Sequence, residues 1–166
     1  HFSDIIMSMV EIHNSVAKVY EENKETLEIF ECLDEFSDTQ NFCDHYGFDI
    51  EDSCNAILIK AKKPEEFYAM FCVLGANRLD VNHKAKEAMG AKRVSFASRE
   101  EAEAVTGQIY GGISPLGLPE NIKVYMDKNV TDREKLFIGA GNRVSKFFLS
   151  PETLIDLSSA KVLDLT

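Results

Sequence analysis

A chain of 166 residues with 45% hydrophobic and 28% charged residues, 11 Phe, 5 Tyr and no Trp has the size and composition of one globular domain, not of a disordered or fibrous chain. No run approaches the ~18 uncharged apolar residues of a membrane span, and no basic stretch followed by an apolar run opens the chain, so a cytoplasmic protein with no membrane partner is expected. The net charge of −10 is regional, because residues 21–52 hold 12 acids and one Lys while the other 134 residues sum to +1, and a nucleic-acid partner is therefore not excluded.

Ile5, Met9, Ile12, Val16 and Val19 recur at spacings of four and three, which predicts a helix opened by Ser3. Its stripe could pack on its own domain or form a seam between two copies, so monomer and homodimer both stand. Glu28 to Leu33 (EIFECL) alternates like a half-buried strand, and Ser37, Asp38 and Thr39 can cap a short helix ending before Gly47. Cys54 to Ala61 and Phe67 to Leu74 read as a hairpin turning at Lys62, Lys63 and Pro64. Asp80 precedes a helix stopped by Gly90, Arg93 to Phe96 is extended, and Ser98 caps REEAEAVTG. Strands follow at Ile122 to Met126, Leu136 to Gly139 and Arg143 to Leu149, then a helix with Pro151 at its first position, and a last strand at Val162 to Leu165. Strands and helices in this order predict an α+β domain with a curved, mixed, barrel-like sheet flanked by helices. The N-terminal helix and acidic strand occupy residues 1–37, and the main unit residues 38–166.

Between the fourth predicted helix and the next strand lies TGQIYGGISPLGLPE, residues 106–120, with four Gly and two Pro. A loop this long exceeds the ~4–6 residues of most connections and needs a reason. Gly111 and Gly112 allow backbone N–H groups to converge on a carbonyl or phosphate oxygen, and Pro115 fixes the chain beyond them; a structural turn is the alternative reading. The Walker and dinucleotide patterns are absent. Cys32, Cys43, Cys54 and Cys72 stand 11, 11 and 18 residues apart without a CxxC pair, which predicts reduced thiols and no metal site. Lys60, Lys62, Lys63, Lys84, Lys86, Lys92 and Arg93 are the cations that could gather on one side for a polyanion.

VTGQIYGGISPLG, an extended segment ending in Asp127, then IGAGNR and LSPETL, resemble the YbaK/prolyl-tRNA synthetase-associated family in order and spacing from about Asp38 to the C-terminus. The resemblance implies a curved mixed sheet and hydrolysis of the ester joining a wrong amino acid to the tRNA 3′ end, with no cofactor. It implies that Gly111, Gly112, Ile113, Ser114 and Pro115 lie against the aminoacyl group. Gly139, Ala140 and Gly141 would form a second small-residue loop followed by Arg143, with Asp127 a turn, capping or catalytic residue. Asn55 stands where the family usually has a lysine associated with tRNA-end binding. Lys60 is five residues away, about 16 Å along the strand and on its opposite face, so it does not substitute. Lys146, where some relatives have an acid, is either a relocated cation or a solvated lysine on a sheet edge. Asn55 together with Arg78, Asp80, Val81 and Asn82 resembles a subgroup of the family. The expected activity is a trans-acting aminoacyl-tRNA deacylase that positions water at Asn55, Gly111 and Lys146 without a covalent nucleophile; the alternative is a binding module that keeps the pocket without turnover.

Overall fold

The computed structural model describes residues 10–166, and in it the alternating runs of the sequence become two sheets. In chain order the elements are α1 (Asn14–Glu22), β1 (Glu28–Glu31), α2 (Thr39–Tyr46), β2 (Cys54–Lys63), β3 (Phe67–Leu74), α3 (Lys86–Met89), β4 (Arg93–Phe96), α4 (Arg99–Thr106), β5 (Lys123–Asp127), β6 (Leu136–Gly139), β7 (Ser145–Leu149), α5 (Pro151–Ser158) and β8 (Lys161–Leu163). The larger sheet runs β4-β2-β3-β5-β8, antiparallel across β4, β2 and β3 and parallel from β3 to β8. The smaller, β1-β7-β6, is antiparallel throughout. The fold is the expected α+β class, but the sheet does not close into a barrel: among the described residues the two sheets meet at a single bridge, Ser53 to Phe137.

The apolar run of β3 (FYAMFCVL) is explained by burial on both faces. Met70, Cys72 and Leu74 enter the main core with Leu58, Met126, Leu136 and Phe147, whereas Ala69, Phe71 and Val73 build a second core with Ile59, Leu79, Ala85 and Leu165. A third cluster, Phe42, Cys43, Phe137 and Phe148, clamps α2 to the smaller sheet. The cavity described below opens between the edges of the two sheets.

Local chemistry sets the ends of the elements. Ser3, Ile5 and Met9 lie outside the described residues; α1 itself starts at Asn14, and His13 Nδ1 accepts from Ser15 N at 3.2 Å. Val16 and Tyr20 are buried in the main core, so this part of the stripe packs on its own domain. β1 pairs with β7 at four positions, which builds the acidic segment into the sheet. β7 begins at Ser145 and not Arg143, because Asn142 Oδ1 takes the Val144 N–H (3.1 Å) and the Ser145 hydroxyl (2.7 Å) in a local turn. β8 ends at Leu163, earlier than expected, because the Leu165 N–H goes to Asp127 Oδ1 (2.8 Å) and not to a strand.

Candidate functional site

A cavity of about 470 Å³ lies between the two sheets and is lined by residues 37–39, 54–58, 111–113 and 137–139, with Lys146. Its volume falls within the ~300–1,000 Å³ typical of small-molecule sites. The opening has a simple origin. β4 covers the edge of β2 only from Ile59 onward, and the last bond on that side runs from Ala97 N to Leu58 O (3.0 Å). Because hydrogen-bonding sides alternate along an antiparallel strand, the N–H and C=O of Ala56 are left without a strand partner on this edge.

Opposite this edge, the glycine loop lies on the 139–142 segment, backbone against backbone. Ile109 N donates to Gly141 O (2.9 Å), Gly141 N to Gly112 O (2.7 Å) and Gly112 N to Ile109 O (3.0 Å). A Cβ on Gly112 would collide with the Asn142 carbonyl, and one on Gly139 with the carbonyls of Gly112 and Ile113. Gly111 has φ of 90° and a Cβ there would strike the Arg143 guanidinium. Gln108, buried inside the loop, accepts from Ser114 N (2.5 Å) and donates to Leu116 O (2.9 Å). These contacts hold the loop rigid, while the N–H groups of Gly111 and Ile113 have no partner among the described residues.

Arg143 bolts this loop to the start of α2. Its Nε donates to Asp34 Oδ1 (3.0 Å), Nη2 to Asp34 O (3.1 Å) and Nη1 to Asp38 Oδ1 (3.2 Å). The hydrogen bond to Asp34 raises the Arg143 pKa, so the clamp stays charged. Asp38 is consequently drawn away from capping α2, and its side chain makes no cap bond.

A profile of the aminoacyl-tRNA editing domain matches residues 34–157, most of the chain. The chain belongs to that family. It is 30% identical over 92 residues to EbsC of Enterococcus faecalis, named as a candidate Cys-tRNA(Pro)/Cys-tRNA(Cys) deacylase; the match covers 55% of this chain and 56% of the relative. Against a proline–tRNA ligase of Nautilia profundicola it is 33% identical over 106 residues, 63% of this chain but 18% of that one. The chain thus spans about half of the first relative and a small part of the synthetase. Among solved structures, one titled as a candidate trans-editing enzyme for prolyl-tRNA synthetase superposes with a TM-score of 0.80 at 23% identity, covering 94% of this chain and 99% of that one; the likeness is one of fold.

Within this editing domain, six of the residues singled out from the sequence share the cavity wall: Asn55, Gly111, Gly112, Ile113, Gly139 and Lys146. Asn55 Oδ1 accepts from Ser53 Oγ (3.4 Å), and its Nδ2 has no partner among the described residues. Lys146 is 6% exposed; its Nζ donates to Ser37 O (2.7 Å) and sits 5.4 Å from the centroid of the Phe42 ring. Burial pushes its pKa down. Lys60, the other cation considered, is bound to Glu66 (3.1 Å) and Glu101 (2.6 Å).

The remaining expectations fall elsewhere. Ser114 is fully buried with Oγ accepting from Leu116 N (3.1 Å), Pro115 lines a separate groove, and Ala140 belongs to the main core. Gly141 (φ 93°) abuts His13, and Arg143 acts from behind the wall. Asp127 is buried far along β5 and holds the C-terminal tail through Leu165 N (2.8 Å) and Thr166 Oγ1 (3.4 Å), a capping role. Sequence reasoning missed Ser37, read only as a cap, and the exposed aromatics Phe96 and Tyr110 at the mouth. Phe96 ends a four-residue strand that opens on the exposed Arg93 and passes through the half-buried Val94 and Ser95, so nothing in its local pattern marks it. Among the described residues no group of three His, Cys, Asp or Glu could hold a metal ion, and no helix is long and apolar enough to cross a membrane.

Proposed function

We propose that this domain hydrolyses, in trans, the ester bond between a wrong amino acid and the 3′ end of a tRNA. The observation that carries this reading is the shared wall of Asn55, Lys146 and the unpartnered N–H groups of Gly111 and Ile113. An aminoacyl ester is already activated, so water placed against its carbonyl carbon can add directly. The carbonyl oxygen gains the electron pair and accepts from the Gly111 and Ile113 N–H groups, donors held in place before the charge develops. Collapse of the adduct breaks the ester C–O bond, and the departing ribose oxygen takes up a proton from the added water. Asn55 Nδ2 serves the ribose hydroxyl or ester carbonyl, and Lys146 supplies the positive charge that Asn55 lacks.

A covalent nucleophile has no support in the cavity. The hydrogen bond to Cys72 and complete burial push the Cys54 thiol well up, away from the reactive thiolate, and Ser114 Oγ is already engaged. The surface beside the cavity suits a single-stranded acceptor end. Lys62, Lys63, Lys92 and Arg93 are exposed at one end of β2 and β4, and Phe96, 62% exposed, stands about 10 Å along β4 at the mouth. Tyr110, 48% exposed, lies across the mouth with Arg99 5.7 Å from its ring centroid. Exposed aromatics stack unpaired bases, and the cations attract phosphates. The trans-acting form is supported by the solved trans-editing neighbour, whose chain this one covers over 99% of its length.

The test is release of amino acid from a panel of mischarged tRNAs that includes Cys-tRNA(Pro), the substrate named for the Enterococcus relative. Release above the protein-free rate is expected on at least one, with Asn55→Ala lowering kcat/KM roughly 2–10-fold, the value of one hydrogen bond. No turnover on any member overturns the reading and leaves a binding module.

A further inference from the structure

One wall of the cavity is built for a ligand that the hydrolytic reading does not itself require. Among the described residues the hydroxyl of Ser37 is the one buried side-chain N or O atom with no hydrogen-bond partner, and Ser37 is 1% exposed. A buried hydroxyl left without a partner is destabilising, so it calls for something to occupy it. Next to it lies Lys146, whose ammonium has three donors and uses one, on Ser37 O at 2.7 Å. No carboxylate among the described residues lies within ion-pair distance of Lys146; Asp38, which lines the cavity and favours the ammonium through space, and Asp34 are both bound by Arg143, so Lys146 has no contact counter-ion of its own. A buried cation without a counter-ion is unfavourable unless a ligand supplies one. The third contribution is the first turn of α2, whose residues 38 and 39 line the same wall and whose leading N–H groups receive no side-chain cap. Such a turn carries about half a positive charge.

We infer that Ser37, Lys146 and the first turn of α2 form an anion-binding subsite inside the cavity, which takes an oxyanion of the bound substrate. This rests on the deacylase reading, and within it two groups carry that chemistry: the phosphodiester preceding the terminal adenosine, and a carboxylate side chain on the amino acid. Two substrate pairs separate them: 3′-aminoacyl-adenosine with and without a 5′ phosphate, and aspartyl- against asparaginyl-tRNA. Wild type favours the charged member of one pair by roughly tenfold or more in kcat/KM, as expected for hydrogen bonds to a charged group. Ser37→Ala and Lys146→Met each reduce that preference several-fold. Ser37→Ala removes an unpartnered hydroxyl, so it leaves the melting temperature of the free protein unchanged or higher, an outcome that separates ligand binding from structural support. Discrimination below about twofold in both pairs, or preferences that survive both variants, overturns the subsite. If no substrate is hydrolysed, the deacylase reading fails on its own, and calorimetric titration with AMP against adenosine, and with aspartate against asparagine, decides the subsite: equal affinity within both pairs rejects it.

Discussion

Gly112→Ala isolates the contact that shapes the cavity. The φ of Gly112 is not in the left-handed region, so alanine meets no backbone strain; its cost comes from the Cβ overlapping the Asn142 carbonyl. That carbonyl is main chain and cannot rotate away, so the two loops must part. Separation breaks Gly141 N to Gly112 O (2.7 Å) and strains Ile109 N to Gly141 O (2.9 Å). The broken backbone hydrogen bond at about 1 kcal/mol, with ~1–3 kcal/mol for overpacking, gives a loss of about 2–4 kcal/mol. For a domain of this size that lowers Tm by roughly 4–16 °C. Gly107→Ala is the control: its φ of 70° imposes about 1–2 kcal/mol of strain, but its Cβ meets open space. Chemical denaturation and deacylation are measured on both. Gly112→Ala is expected to lose more stability than Gly107→Ala and at least tenfold more activity; equal effects on both properties would refute the backbone-contact argument.

Lys146→Met removes a buried charge, so stability changes by no more than about 1–2 kcal/mol in either direction while deacylation falls, measured by urea titration and turnover. The folded-state pKa of Lys146 lies below its unfolded value of about 10.4, so the wild type gains stability as pH rises toward about 10.4, a gain the Met variant lacks. Glu101 is held down to about 2, chiefly by Lys60, so its stabilisation is present above pH ~4.3 and lost as pH falls from there to about 2; Glu101→Gln shows a shallower acid limb in pH-dependent melting. Asp127→Ala leaves Leu165 N without its acceptor, costing about 1–3 kcal/mol by denaturation with turnover retained, since the carboxylate lies outside the cavity.

The parts of the fold legible in the sequence are those fixed within a few residues. The Ser98 cap, Gly47 and Gly90 as helix stops and the unbroken apolar run of β3 are each written in a few neighbouring residues. The division into two sheets was not legible, because it depends on where β4 stops covering β2, which the composition of neither strand records. In the site, the glycine loop announced itself by length and glycine content. Ser37 did not, since a serine before a short helix looks the same whether its hydroxyl caps the helix or is left without a partner. Asp127 shows the converse: an acid at a strand end has the same sequence signature for a cap as for catalysis, and here its partners are Leu165 and Thr166.

Asn55, where the family resemblance implies a lysine, and the buried Lys146 bear on each other through the geometry of the wall. A lysine on β2 would bring its charge from the open edge, whereas Lys146 reaches the cavity from β7, beneath α2, and its ammonium is fixed by Ser37 O and the Phe42 ring. The cation therefore acts from a fixed point beside the orphan Ser37 hydroxyl, and Asn55 leaves the β2 edge neutral and able to both donate and accept. On the proposed reading, a charge placed in this way separates two tasks that one mobile lysine would combine: holding an anion, at α2, and contacting the ester, at β2. Asn55→Lys tests the division directly. If the tasks are separate, the added lysine strengthens tRNA binding in a salt-dependent way without rescuing Lys146→Met; restoration of turnover in the double variant would show that one cation on either strand serves both.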